Sequence, residues 1–244
     1  MKMKPEEFEA AMKVLGDESE ARHLMRFFKC GPGQYGEGDR FLGIRVPVTR
    51  RLVREAREAV TVEDAVALTG SVWHEVRLAG FLLLVELYNN SVRKRDEAER
   101  ERIVKIYLGL IHRGNNWDLV DLVAPKILGE WLVGRPGSRD ILDKLADRDD
   151  SLWHQRVAIV ATWTLIREGQ FDDTFRLARR YLDHRHDLIH KATGWMLREV
   201  GKRGGRRELT DFLDRHATGM PRTALRYAIE HFPEEERQHY LSLR

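Results

Sequence analysis

Residues 115–125 read Asn115-Asn116-Trp117-Asp118-Leu119-Val120-Asp121-Leu122-Val123-Ala124-Pro125. Two asparagines suited to an N-cap precede a run of apolar residues, so the stretch opens a buried helix. It nevertheless carries two acids and a tryptophan within its first turns. Openings of this kind recur along the chain. Arg77-Leu78-Ala79, Asp121-Leu122-Val123, Arg156-Val157-Ala158, Lys191-Ala192-Thr193 and Arg222-Thr223-Ala224 each stand early in an apolar helix, with a Trp, His or small residue shortly before. The steps between them are 44, 35, 35 and 31 residues. Periods of this size belong to stacked helix pairs.

The apolar period is helical almost throughout. It predicts helices over 47–60, 72–87, 98–111, 117–132, 152–166, 175–182, 188–200 and 209–216. Gly-Asn-Asn, Gly-Arg-Pro-Gly-Ser and Arg-Gly-Gly break the chain between them, and no alternating run with hairpin turns appears. The expected fold is all-α: a superhelical stack of HEAT-like antiparallel helix pairs, forming a curved solenoid with a basic concave groove, as a single domain over residues 1–244.

The bulk numbers are compatible with this. Of 244 residues, 42% are hydrophobic, enough for a core, and 33% are charged, with a net charge of only +3. Any electropositive surface must therefore come from arrangement rather than total charge. A lone cysteine, Cys30, excludes an internal disulfide framework and fits a reducing compartment. The N-terminal MKMKPEEFEAAMKVLG is amphipathic and contains acids, unlike a signal peptide, and no stretch has the length of an apolar membrane span. The expectation is a cytoplasmic monomer without membrane attachment.

Aligned by the repeat, the helix openings form a column that reads Arg77, Asp121, Arg156, Lys191, Arg222. Two readings of its cations are open. They are solvated helix-start residues, or they face a polyanion such as a DNA backbone. Cations in a first turn oppose the helix macrodipole, so four of them ask for an anion. Asp121 is the exception, and an acid in a phosphate-binding row weakens that binding unless it has another task. Trp117 lies four residues before Asp121, on nearly the same helix face, and Lys191 and Trp195 repeat that spacing. Asp118, beside the N-cap asparagines in the first turn, has a structural explanation. The Asp121 carboxylate suits a base, a positioner of water or a stabiliser of developing positive charge.

In Phe41-Leu42-Gly43-Ile44 followed by Pro47, Trp117-Asp118-Leu119-Val120-Asp121 followed by Pro125, Trp153-His154-Gln155-Arg156 with Ala158, and His190-Lys191-Ala192-Thr193-Gly194-Trp195 with Leu197-Arg198-Glu199, the chain resembles the AlkD-type alkylpurine DNA glycosylases. The likeness runs in matching order over roughly residues 5 to 235. It implies hydrolysis of the N-glycosidic bond of N3- and N7-alkylated purines in duplex DNA, without the deep base pocket of enzymes that flip bases. It places Asp121 at the position of the catalytic acid, Trp117 and Trp195 at the aromatics beside the lesion, and Arg156 at a cation near the damaged nucleotide. It also implies a monofunctional enzyme, with Lys191 on a phosphate rather than acting as a Schiff-base nucleophile. A family tyrosine near the lesion falls at Phe27, and Tyr35 in the extended loop 30–40 is the candidate to replace its hydroxyl.

Other DNA contacts are expected from Arg77, Arg222, His154, His190 and the basic run Lys202, Arg203, Arg206. Gly31-Pro32-Gly33-Gln34-Tyr35-Gly36 matches G-x-G-x-x-G formally, but no strand precedes it, so no dinucleotide is expected. No histidine spacing suits zinc, and neither cofactor nor metal is called for. The competing reading is a non-catalytic HEAT-repeat module that binds DNA or protein.

Overall fold

A computed structural model describes residues 3–243. The chain is all-α, and among the described residues the only extended pairing is a single bridge between Arg40 and Trp73. Its packing divides into two compact units, with the boundary between Val123 and Ala124. No helix among the described residues is long and apolar enough to cross a membrane.

In the first unit, α1 (Pro5–Val14) begins at a proline, and α2 (Glu18–Phe27) is capped by the Asp17 carboxylate. After the loop of 28–45 come α3 (Val46–Ala56) and α4 (Val62–Leu68), the latter opened by a Thr61–Asp64 capping box. The central element is α5 (His74–Lys94), buried on nearly all sides along its first half. Against it pack α3, α4, α6 (Glu97–Leu110) and the five-residue α7 (Trp117–Asp121). The approach of α4 to α5 requires Gly80, because a Cβ there would lie 2.7 Å from the Thr69 nitrogen and 2.8 Å from the Ala65 oxygen.

The helix expected over 117–132 does not run unbroken. It stops at Asp121, turns, and resumes as a π-helical segment, Pro125–Gly129, before α8 (Glu130–Leu132). Pro125 supplies the reason: it has no N–H to donate back to the carbonyl of Asp121.

In the second unit, α9 (Asp140–Ala146), α10 (Leu152–Arg167), α11 (Asp172–Arg180), α12 (Asp187–Lys202), α13 (Arg206–His216), α14 (Arg222–Ala228) and α15 (Glu234–Ser242) follow. Here α10 packs on α12 and α12 on α14. These helices carry Arg156, Lys191 and Arg222, so the 35- and 31-residue steps correspond to packed neighbours. Leu197, Leu209, Leu213 and Leu225 join the core between them. Replacing Gly80 by alanine is expected to lower stability by about 1–3 kcal/mol, the cost of overpacking where backbone must move; urea unfolding of the variant measures it.

Candidate active site

The site in the first unit starts from the backbone of Phe41–Ile44, which crosses the opening of α5. The His74 N–H donates to the Arg40 carbonyl at 2.7 Å. The buried Glu75 carboxylate then accepts from the amides of Leu42 (2.9 Å), Gly43 (2.8 Å) and Ile44 (3.1 Å). Three amide donors on one carboxylate make a charge-assisted anchor. Gly43 has φ +86°, and a Cβ there would collide with the Asp17 carbonyl, so only glycine fits.

Beside Glu75, the buried His74 ring is held at both nitrogens. Nδ1 lies 2.7 Å from Asp39 Oδ2 and Nε2 lies 2.9 Å from Asp118 Oδ2. Burial pushes the His74 pKa down, but Asp118 and then Asp39 outweigh it and raise it to about 9. Burial likewise acts to raise Asp39, and its bonds to His74 and Arg77 win, leaving it below the usual carboxylate range. Arg77 donates to Asp39, and also to the Ser71 carbonyl and Asn115 Oδ1, each at 3.0 Å. Nearby, burial and the Asp39 charge push the Cys30 thiol up to about 11.

Aromatic rings cover this charged floor. Phe41 stacks on His74 with centroids 4.3 Å apart, Phe28 on Phe41 at 5.2 Å, and Trp117 on Phe28 at 5.2 Å. Phe27 meets Trp117 edge-on at 5.9 Å and is 55% exposed. These rings, with Ile44, Pro47 and Leu122, bound a cleft of about 390 Å³ into which Asp118 and Asp121 also face. Asp121 is half-buried at the end of α7. Its charge reaches the buried Tyr107, whose hydroxyl is pushed up by burial first and by Asp121 second. Asn116 starts α7, accepting from the Trp117 amide and donating to the Phe28 carbonyl.

The structure thus brings Asp121, Trp117 and Phe27 to one cleft. Tyr35 is half-buried in the loop and does not line it. Trp195 is half-buried on α12 in the second unit. Two cations of the column are not at the surface. Arg77 and Arg156 are buried, the first on Asp39 and the second donating to the Leu188 carbonyl, so each has its acceptor within the protein. Lys191 pairs with Asp187 one turn earlier at 2.7 Å, and Lys202 with Glu199 at 3.0 Å. Arg222 donates to the Leu241 carbonyl, Arg206 pairs with Glu236, and Arg203 lies over the Trp163 ring at 6.0 Å. His154 bonds Ser151 Oγ at 2.7 Å, and His190 bonds the His184 carbonyl.

Sequence reasoning missed Asp39, Glu75, Phe28 and Phe41. The adjacent His74-Glu75 at the mouth of an apolar helix was the available signal for Glu75, since a buried acid there needs donors. Among the described residues no group of three or more His, Cys, Asp or Glu is placed to hold a metal ion.

A family model described as DNA alkylation repair enzyme matches residues 8–232. A solved structure described as a predicted DNA alkylation repair enzyme from Enterococcus faecalis superposes with a TM-score of 0.68, over 90% of this chain and 97% of that one. At 17% identity that likeness is one of fold. No curated protein matches the chain.

The raised His74 pKa makes stability depend on pH in a stated direction. Its contribution is fully present below the unfolded-state value of about 6.5 and is lost as pH rises through the folded value. That of Asp39, whose pKa is lowered, is present above about 3.9 and lost as pH falls further. The urea midpoint is expected to decline from about pH 7 toward pH 10, and a His74→Gln variant to lack that decline. An equal decline in both proteins would remove the charge from His74.

Proposed function

The chain belongs to the DNA alkylation repair enzyme family, and from that premise we propose that it is a monofunctional DNA N-glycosylase for cationic N3- and N7-alkylated purines in duplex DNA. The observation that carries this reading is a half-buried carboxylate, Asp121, sharing an apolar, aromatic cleft with Trp117. A purine alkylated at N3 or N7 is already cationic, so it departs with the glycosidic electron pair and needs no general acid. What remains is to stabilise the oxocarbenium-like sugar and to deliver a water whose oxygen bonds to C1′ and which then gives up a proton. A carboxylate in a cleft of low polarity serves both ends, because its field is poorly screened there.

Trp117 offers an indole face to the cationic base, a contact worth about 0.5–2 kcal/mol depending on exposure. Trp195 is proposed for the same task. Lys191, Arg222, His154, His190, Lys202, Arg203 and Arg206 are the proposed phosphate contacts, each exchanging its intramolecular partner for DNA. Arg77 and Arg156 act from within, by fixing the openings of α5 and α10. Phe27, exposed at the mouth of the cleft, brings an apolar edge to the lesion where the family has a phenol. The enzyme works as a monomer in the cytoplasm.

The test is release of 7-methylguanine from a duplex under single-turnover conditions, with DNA affinity measured alongside. Asp121→Asn is expected to slow release by about 10²–10³-fold, the loss typical of removing one preorganised electrostatic group, while affinity holds or rises. Release untouched by the substitution would discard the role of Asp121. Binding without release of 7-methylguanine, 3-methyladenine or bulkier adducts would favour a non-catalytic DNA-binding module.

A further inference from the structure

Asp121 stands on a helix of five residues, α7, which is too short to hold itself in water. Its position must come from what grips it. Asn115 is held by Arg77, Asn116 by the Phe28 carbonyl, and Asp118 by His74, while Asp118 Oδ1 also takes the Leu119 amide at 2.9 Å. Asp118 and Asp121 are three residues apart, neighbours on one helix surface, and both face the cleft. The grip on Asp118 is conditional. An ionised carboxylate only accepts hydrogen bonds, and His74 has a carboxylate at each ring nitrogen. The imidazolium donates to both. A neutral ring has one N–H, so either Asp39 or Asp118 then faces a lone pair in a buried setting.

We propose that Asp39, His74 and Asp118 form a buried relay that positions α7, so that Asp121 is held at the cleft only while the His74 ring donates from both nitrogens. The relay makes these three positioning residues, with no contact to the reacting atoms. The proposal rests on the reading of Asp121 as the reacting carboxylate. With Arg77 on Asp39, the relay contains two carboxylates and two cations and is neutral, which leaves its field on the cleft small beside that of Asp121. Loss of one ring proton both frees α7 and adds an uncompensated negative charge beneath the rings.

The groups that face His74 settle which proton is at stake. From the loop comes Asp39, from α7 Asp118, and from α5 itself Arg77, by way of Asp39, and the adjacent Glu75, whose carboxylate is turned to the amides of 42–44. Cys30, near Asp39, has its thiol pushed up to about 11 by burial and then by Asp39, so it is mostly protonated across mildly alkaline pH. The rings of Phe28 and Phe41 carry no charge. His74 is therefore the group of this set that titrates on the mildly alkaline side.

Two readouts test the relay, both across pH 6 to 10. One is the single-turnover rate of 7-methylguanine release, corrected for the uncatalysed reaction in the same buffer. The other is amide hydrogen exchange of segment 115–123, corrected for its intrinsic pH dependence. In the wild type the rate is expected to fall, and exchange in 115–123 to rise, through the His74 value of about 9. Asp118→Asn removes one of the two opposing charges and is expected to move both transitions down by about one pH unit or more, with duplex affinity little changed. An alkaline limb that stays in place in Asp118→Asn, or a loss of rate and affinity that is equal at every pH, overturns the proposal. If Asp118→Asn does not fold, the wild-type exchange profile decides: no rise in 115–123 through the alkaline transition overturns it. If the wild type releases no base from any alkylated duplex, the glycosylase reading fails, and the exchange profiles still decide whether the relay governs α7.

Discussion

The first unit depends on one imidazole ring placed between two carboxylates. Asp39 comes from the glycine-rich loop, His74 from the head of the central helix α5, and Asp118 from α7, so the ring ties three segments that sequence separates by 35 and 44 residues. Charged groups out of water are costly, and removing one member of a paired buried set strands its partner at about 3–5 kcal/mol. The same three segments bring in the aromatic rings. Phe41 follows Asp39 by two positions and stacks on His74, while Trp117 precedes Asp118 by one and joins the stack through Phe28. Charge pairing therefore fixes where the apolar wall of the cleft stands.

Glu75 does comparable work through the backbone. By taking the amides of Leu42, Gly43 and Ile44 it satisfies donors that an extended loop leaves without ladder partners. Burying this carboxylate is tolerable because three donors compensate it, and the loop gains a fixed path over α5. The chemistry proposed for Asp121 thus sits beside acids with quite different duties. Asp118 and Glu75 are bound to His74 and to the amides of 42–44, and Asp121, half-buried at a helix end, lines the cleft.

The helical class was legible because a 3.6-residue period is local in sequence and needs no knowledge of distant partners. That Asp121 and Trp117 share a surface was legible from their spacing of one turn, and both line the cleft. Partners from distant segments were not legible. Arg77 and Arg156 look alike in sequence to surface cations, and only Asp39 and the Leu188 carbonyl reveal them as buried. The role of His74 was hidden in the same way. Short helices such as α4, α9 and α14 span too few turns for a period to register. The break after Asp121 was visible in principle at Pro125, whose missing amide outweighs the continuous apolar pattern around it.

The Cys30 thiol, close to Asp39, bears on how the chain meets electrophiles. A thiol attacks electrophiles as the thiolate. With its pKa pushed to about 11, the chain's single cysteine is almost wholly protonated at neutral pH. Burial first and the Asp39 carboxylate second hold this sulfur in its less reactive form, so the loop that pairs with His74 also quiets the one nucleophilic thiol of the chain.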